Sequence, residues 1–247
     1  MSARLKIRSL FAASSLALPK HHYVWAQAAA FAIAELSGAA QAPPAPAAPQ
    51  ARFVVVLDAA HGGDDAGGRL ANGQPEKALT LAMSVRLRSL LAARGIQVVT
   101  IREQDVTIDL NRRAELANHA NAQACLILHA SESGSGVHLF VSSIEPVPPV
   151  RLPAWKTAQA AWVTRSLALA GVLNSALLHA GMTVTLSRSS MPGVDSMACP
   201  AVAVEMAPER DAAQKTTAEL DNADYQARVA GALAAAIVEW RAEAHQP

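Results

Sequence analysis

Residues 53–68 decide the fold, and they read Phe-Val-Val-Val-Leu-Asp-Ala-Ala-His-Gly-Gly-Asp-Asp-Ala-Gly-Gly. The first five residues form an unbroken apolar run, which is typical of a strand buried on both faces. The run leads into Asp58 and then into a glycine-rich loop that carries His61. A buried strand of this kind favours an α/β fold, in which polar groups collect where strands end.

The rest of the chain alternates between strand and helix patterns. Short apolar runs predict further strands at 96–101, 125–128, 137–141, 183–186 and 201–204. Helical spacing and capping residues predict helices at 76–94, from Thr107 or Asp109 to about 122, from Thr157 to Gly181, and from Asp221 onward. This alternation predicts a single α/β domain with a mostly parallel or mixed, twisted central sheet and helices on both faces.

The first 51 residues differ in composition from the rest. Residues 1–22 contain four basic and no acidic side chains, 23–34 are apolar, and 38–42 hold an Ala-x-Ala pattern. These features predict a signal peptide over 1–42, with a disordered or anchored arm as the alternative. Four prolines predict a linker over 43–51, so the folded domain is expected over 52–247. We expect an exported, periplasmic or cell-wall associated protein with no membrane span after signal removal.

The charge of the chain bears on its partners. The sequence contains 21 Lys and Arg against 20 Asp and Glu, a formal net charge of +1. Residues 1–42 hold four of the basic and one of the acidic side chains, which leaves 17 basic and 19 acidic residues after signal removal. Binding to nucleic acid through phosphate contacts needs a clear basic excess, so we expect no nucleic-acid partner.

Four polar side chains stand where predicted elements meet. His61 follows the first strand, His129 ends the third, and Glu205 ends the strand at 201–204. Glu76 begins the first predicted helix. Each has an ordinary explanation when taken alone, but the carboxyl ends of parallel strands share one edge of a sheet. Two histidines and a carboxylate form a zinc ligand set with one position open for water, and a further glutamate could act as general base and acid.

Other chemistries match the sequence poorly. The glycine-rich loop lacks the order of a phosphate-binding motif, and Asp64 and Asp65 would repel phosphate, so its glycines are interpreted as residues that let the chain turn. HExxH and GxSxG motifs are absent from the sequence, and His138 is expected to point outward from its strand. Cys125 and Cys199 form no CxxC pair, and a disulfide between them is possible if their strands are neighbours.

The ordered series of motifs resembles the zinc-dependent N-acetylmuramoyl-L-alanine amidases, which cleave the bacterial cell wall. Residues 54–65 resemble the opening motif of that family, and Glu76-Lys-x-Leu-Thr-Leu is similar to the second. Leu-Ile-Leu-His129-Ala resembles the third metal motif, and Pro-Ala-Val-x-Val-Glu205 resembles the motif with the catalytic glutamate. The resemblance extends from about residue 53 to residue 240.

The resemblance implies that zinc is held by His61, Glu76 and His129, that Glu205 is the catalytic acid and base, and that peptidoglycan is the substrate. It also leaves room for an unknown protein activator. Residues flanking the motifs differ from the family pattern, which keeps two alternatives open: an inactive cell-wall binding or regulatory protein of the same fold, and another zinc peptidase that acts on stem peptides. The segment 142–156 is short, so we expect a site that no inserted helix covers.

Overall fold

Six strands form the central sheet of the computed structural model, which describes residues 52–147 and 154–244. They are β1 Val54–Ala59, β2 Gln97–Thr100, β3 Ala124–Ala130, β4 Val137–Ser142, β5 Val184–Ser189 and β6 Ala201–Met206. Their order across the sheet is β2-β1-β3-β6-β4-β5. Strands β1, β2, β3 and β6 are parallel, whereas β4 is antiparallel to β6 and parallel to β5. The predicted α/β fold with a mostly parallel, mixed sheet is confirmed.

Helices cover both faces of the sheet. They are α1 Glu76–Ala92, α2 Leu110–His119, α3 Val163–His179, α4 Pro192–Asp195 and α5 Ala223–Ala244, with a 3-10 helix at Trp155–Ala161. A small antiparallel pair, β7 Glu209–Arg210 and β8 Thr216–Ala218, lies apart from the main sheet. Helices α1, α3 and α5 share one core with side chains such as Leu126 and Val204, and α2 shares the other with Val56 and Ala203. The central strands β1, β3 and β6 are apolar because both of their faces are buried.

A disulfide links Cys125 in β3 to Cys199, just before β6, with their Cα atoms 6.3 Å apart. The two strands are direct neighbours, because Cys125 lies opposite Ala201 and its amide donates to the carbonyl of Pro200 at 2.8 Å. From the sequence, this disulfide was expected to be possible if the two strands are neighbours, and they are.

Two predicted helix starts are wrong, and one is confirmed. Thr157 has non-helical backbone angles inside the 3-10 helix, and α3 begins only at Val163. Asp221 does not cap α5, because the Oδ1 atom that accepts from the amide of Tyr225 belongs to Asn222, at 2.9 Å. Asp109 does cap α2, since its carboxylate accepts from two backbone amides of the first turn.

The predicted signal peptide at 1–42 and the predicted linker at 43–51 lie outside the described residues. Within the described part, no single helix is long and apolar enough to cross a membrane. The 3-10 helix and α3 together meet that criterion of length and composition, but they are bent by 65°. Leu169, Leu173 and Leu177 of α3 are fully buried in the core of the domain.

Candidate metal centre

His61, Glu76 and His129 meet at the carboxyl ends of β1 and β3. Their ligand-competent atoms all lie within 4.8 Å of one another. Nε2 of His61 is 3.1 Å from Oε2 of Glu76, and Nδ1 of His129 is 3.0 Å from Oε1 of the same carboxylate. The structure thus brings together three residues that are far apart in the sequence but that β1, α1 and β3 deliver to one edge of the sheet.

Glu76 is the fixed centre of this cluster. Its carboxylate is buried and accepts the backbone amides of Gly68 at 2.8 Å and Ala130 at 3.0 Å, in addition to facing both histidines. Burial alone would raise the pKa of Glu76, but the hydrogen bonds from His129, His61 and the two amides outweigh it and hold the pKa well below the usual range. Glu76 is therefore ionised at any ordinary pH.

His61 is held from three directions in a left-handed backbone conformation, with φ of 63°. Asp65 Oδ2 lies 2.8 Å from its Nδ1, and Nη2 of Arg113 donates to its carbonyl oxygen at 2.6 Å. The contact with Glu76, followed by that with Asp65, raises the pKa of His61 against the opposing effect of burial. The contact with His61 in turn lowers the pKa of Asp65. A non-glycine residue held at positive φ is frequent at functional sites.

The glycine-rich loop lets the backbone pass directly beside the cluster. A Cβ atom built at Gly67 would lie 2.6 Å from Cδ2 of His61 and 2.7 Å from Oε2 of Glu76. Any side chain at this position would therefore displace His61 and Glu76. The positive φ angles of Gly62, Gly63 and Gly67 support the interpretation of the glycines as residues that let the chain turn.

Buried arginines hold the backbone between β1 and His61. Arg113 pairs with Asp58 and donates to the carbonyl of Ala59 at 2.9 Å, while Arg102 donates to the carbonyls of Ala59 at 2.8 Å and Ala60 at 3.0 Å. Burial raises the pKa of Asp58, and Arg113 opposes that rise. These guanidinium groups replace the water that the loop carbonyls would otherwise bind, and they fix the direction in which His61 leaves the strand.

Glu205 stands beside the cluster on the next strand. The parallel register of β3 and β6 places Glu205 opposite His129. Glu205, Glu76 and His129 line one cavity of about 210 Å³. Three of the four residues selected from the sequence therefore line one cavity, and the fourth, His61, contacts the carboxylate of Glu76.

His138 was assigned a wrong orientation from the sequence, since this residue contacts Glu205. It was expected to point outward, but its Nδ1 lies 3.2 Å from Oε1 of Glu205 and only 16% of its side chain is exposed. Because β4 runs antiparallel to β6, a residue near the start of β4 lies beside one near the end of β6. The role of Asp65 beside His61 was also missed, although its position four residues after His61 was a usable signal.

The described residues leave the cluster accessible. The side chains of His61 and His129 remain 22% and 36% exposed. The 3-10 helix at Trp155–Ala161 packs against α4. Within it, the side-chain amide of Gln159 donates to the carbonyls of Met197 and Cys199, just ahead of β6. Residues 148–153 of that segment lie outside the described residues, so the expectation of an uncovered site stays a prediction for them.

The residues present fit a zinc ion. Zinc binds imidazole nitrogen and carboxylate oxygen, and sets of two histidines with one carboxylate occur in its catalytic sites. Here the carboxylate is ionised, and the contact of Asp65 with Nδ1 of His61 leaves Nε2 as the nitrogen that faces Glu76. A second carboxylate on the far ring nitrogen is the usual arrangement around a zinc-bound histidine.

A family model described as N-acetylmuramoyl-L-alanine amidase matches residues 55–239. The chain belongs to this amidase family. The match includes the three residues of the metal centre as well as Glu205 and His138.

This chain of the amidase family is also similar in sequence to curated amidases and similar in fold to solved amidase structures. It is 36% identical over 94 residues to the N-acetylmuramoyl-L-alanine amidase AmiA of Escherichia coli, an alignment that covers 36% of this chain and 32% of AmiA. The chain thus spans about a third of the length of that curated relative. Its fold is similar to the catalytic domain of CwlV from Bacillus (Paenibacillus) polymyxa, with a TM-score of 0.60, 24% identity, and coverage of 77% of this chain and 98% of CwlV. The amidase Ami1 of Mycobacterium smegmatis gives a TM-score of 0.62 at 20% identity, with coverage of 77% and 97%.

Proposed function

We propose that this protein hydrolyses the amide bond between N-acetylmuramic acid and the L-alanine of the peptidoglycan stem peptide, with zinc as its cofactor. The observation that carries the proposal is the meeting of His61, Glu76 and His129 within 4.8 Å in a chain of the amidase family. The position of Glu205 opposite His129, at the wall of the same cavity, supports the assignment of a general base.

In the proposed mechanism, His61, Glu76 and His129 hold the ion. Zinc bound there supplies Lewis acidity, which polarises the amide carbonyl and makes water more acidic. The carboxylate of Glu205 accepts the proton of the attacking water and returns it to the nitrogen of the leaving amine. Asp65 keeps the imidazole of His61 oriented, and the amides of Gly68 and Ala130 keep the carboxylate of Glu76 in place.

The test is digestion of purified cell-wall sacculi followed by mass spectrometry of the soluble products. The protein should release intact stem peptides with a free L-alanine amino terminus and leave N-acetylmuramic acid without a peptide. Glu205→Gln should lower the rate roughly 10²–10⁴-fold, because general acid–base catalysis contributes a factor of that size. Glu239→Gln, the same change at an exposed position of α5, is the matched control and should leave the rate unchanged.

The two alternatives give different products. A zinc peptidase of the stem would release amino acids or shortened peptides and leave L-alanine attached to the sugar. An inactive wall-binding protein would sediment with sacculi without releasing any peptide, and Glu205→Gln would then behave as the unchanged protein does. Either result would contradict the proposal that the protein is an amidase.

We further propose that the protein is exported. The basic, apolar and small-residue segments of 1–42 support this, and so does the disulfide between Cys125 and Cys199, because such bonds persist in oxidising compartments. Amino-terminal sequencing of the protein from the cell envelope should begin at Pro43. A chain recovered only from the cytosol with its first 42 residues intact would contradict export.

A further inference from the structure

We propose that His138 is a positioning residue for Glu205, which it orients within the cavity of the metal centre. The inference rests on the proposed function, because it assumes that Glu205 is the acid and base of amide hydrolysis. It assigns a role to a histidine that is not among the proposed metal ligands.

The sheet places the two side chains opposite each other. In the antiparallel register of β4 and β6, His138 is the direct partner of Glu205. Nδ1 of His138 lies 3.2 Å from Oε1 of Glu205, and the two side chains are 16% and 28% exposed. Glu205 therefore has one oxygen in contact with the ring, while its second oxygen makes no hydrogen bond within the described part of the chain.

The imidazole ring of His138 is confined by the backbone at Gly134 and by the ring of Phe140. A Cβ atom at Gly134, whose φ is 86°, would lie 2.1 Å from Cε1 and 2.6 Å from Nε2 of His138. The loop is fixed in turn by Arg210, whose Nε donates to the carbonyl of Gly134 at 3.1 Å and whose amide donates to Oγ of Ser135 at 3.0 Å. On another side, the ring of Phe140 stands at 82° to the imidazole, with centroids 6.4 Å apart. This packing keeps Nδ1 directed at Glu205.

His138 acts through Glu205 and not on the metal. Among the described residues, the histidine, cysteine and acidic side chains that are close enough to share an ion are His61, Glu76 and His129. A carboxylate at the wall of an open cavity can rotate about its last torsion, whose energy profile is broad. A hydrogen bond donated by Nδ1 to Oε1 removes that freedom and leaves Oε2 free for the proton that Glu205 exchanges.

Kinetics on soluble muropeptides test this role. His138→Leu should lower kcat about 10–100-fold, the usual loss when a supporting hydrogen bond at a metal site is removed, with KM unchanged. His138→Asn should recover most of kcat, since its amide nitrogen occupies nearly the position of Nδ1. His179→Leu, the same change at an exposed histidine at the end of α3, is the matched control and should keep the kcat of the unchanged protein. Zinc content and thermal midpoint are measured for each variant, so that rates refer to folded, metal-loaded protein.

The outcomes separate this inference from the proposed function. If the unchanged protein cleaves and Glu205→Gln does not, but His138→Leu keeps its kcat, then His138 has no positioning role. An equal loss of kcat in His138→Leu and His138→Asn would assign the effect to packing and overturn the proposal. Failure of the unchanged protein to release stem peptides would instead overturn the proposed function itself.

Discussion

The Oδ2 atom of Asp65 lies 2.8 Å from Nδ1 of His61, the ring nitrogen that faces away from Glu76. This contact fixes which nitrogen of His61 carries the proton, and it orients the ring toward the metal centre. In the proposed zinc site, Asp65 would thus orient His61 as a ligand while contacting only the ring nitrogen that faces away from the site.

Asp65→Ala should therefore weaken zinc binding about 10–100-fold, because loss of a carboxylate behind a ligating histidine has this effect. Competition with a chromogenic chelator measures the affinity. Asp64→Ala, one residue earlier and exposed, is the control and should bind zinc as the unchanged protein does. Equal affinities for both variants would show that the contact with His61 contributes nothing.

Removal of zinc should lower thermal stability as well as activity. A ligand present at 100 times its Kd stabilises the folded state by about 2.7 kcal/mol, which corresponds to roughly 5–10 °C in Tm for a domain of this size. Scanning calorimetry with and without a chelator checks this shift. Glu76→Gln should show no shift, since it removes the charge at the centre of the cluster, and a full shift in that variant would exclude Glu76 as a ligand.

The disulfide should make a large contribution to stability. Cys125 and Cys199 are 74 positions apart in the sequence. Closing a loop of that length stabilises the folded state by about 4.5 kcal/mol in the chain-entropy treatment, and measured values are typically about 2–4 kcal/mol. Urea denaturation of the double variant Cys125→Ala, Cys199→Ala measures the loss. Titration of two free thiols in the unreduced, unfolded protein would contradict the bond.

Tyr225 should make the domain sensitive to alkaline pH. Its hydroxyl is buried within 2.7 Å of the carbonyl of Ala207, and burial raises its pKa above the usual range. Its contribution is complete below about pH 10, where the unfolded phenol is still protonated. Above that pH, stability should fall by up to about 1.4 kcal/mol per pH unit, because only the unfolded state releases the proton.

Tyr225→Phe is the variant that isolates this effect. It should cost about 1–3 kcal/mol at neutral pH, because the carbonyl of Ala207 loses a donor, and its stability should decline less steeply above pH 10. Denaturation at a series of pH values gives both slopes. Identical slopes for the two proteins would show that Tyr225 does not titrate on unfolding.

The sequence predicted the strands and the metal cluster because both follow from local patterns. The apolar run before Asp58 is buried on both faces, and parallel strands deliver His61 and His129 to a common edge. The glutamate that begins α1 reaches the same edge because the glycine-rich loop returns to it. In each case, the order along the chain and the direction of the strands were sufficient to predict the neighbours.

The features that were missed depend on pairings that local patterns do not reveal. His138 lies near the start of its strand, and only the reversed direction of β4 brings it to Glu205. Thr157 was a reasonable cap by residue type, but the chain bends at Trp162 and α3 starts after the bend. Asp221 and Asn222 are both good caps by residue type; Asn222 accepts from the amide of Tyr225, whereas Asp221 accepts from the side-chain amide of Asn72.

The hydrogen bonds that Gly68 and Ala130 donate to Glu76 bear on how the protein would acquire the proposed zinc ion. A carboxylate already anchored by two backbone amides loses little conformational entropy when an ion arrives. Uptake of metal then requires no folding of the glycine-rich loop, and it should follow simple second-order kinetics. The proposed zinc enzyme should therefore survive repeated removal and return of its ion in the folded form. If it is exported as proposed, the zinc concentration outside the cell would then set its active fraction.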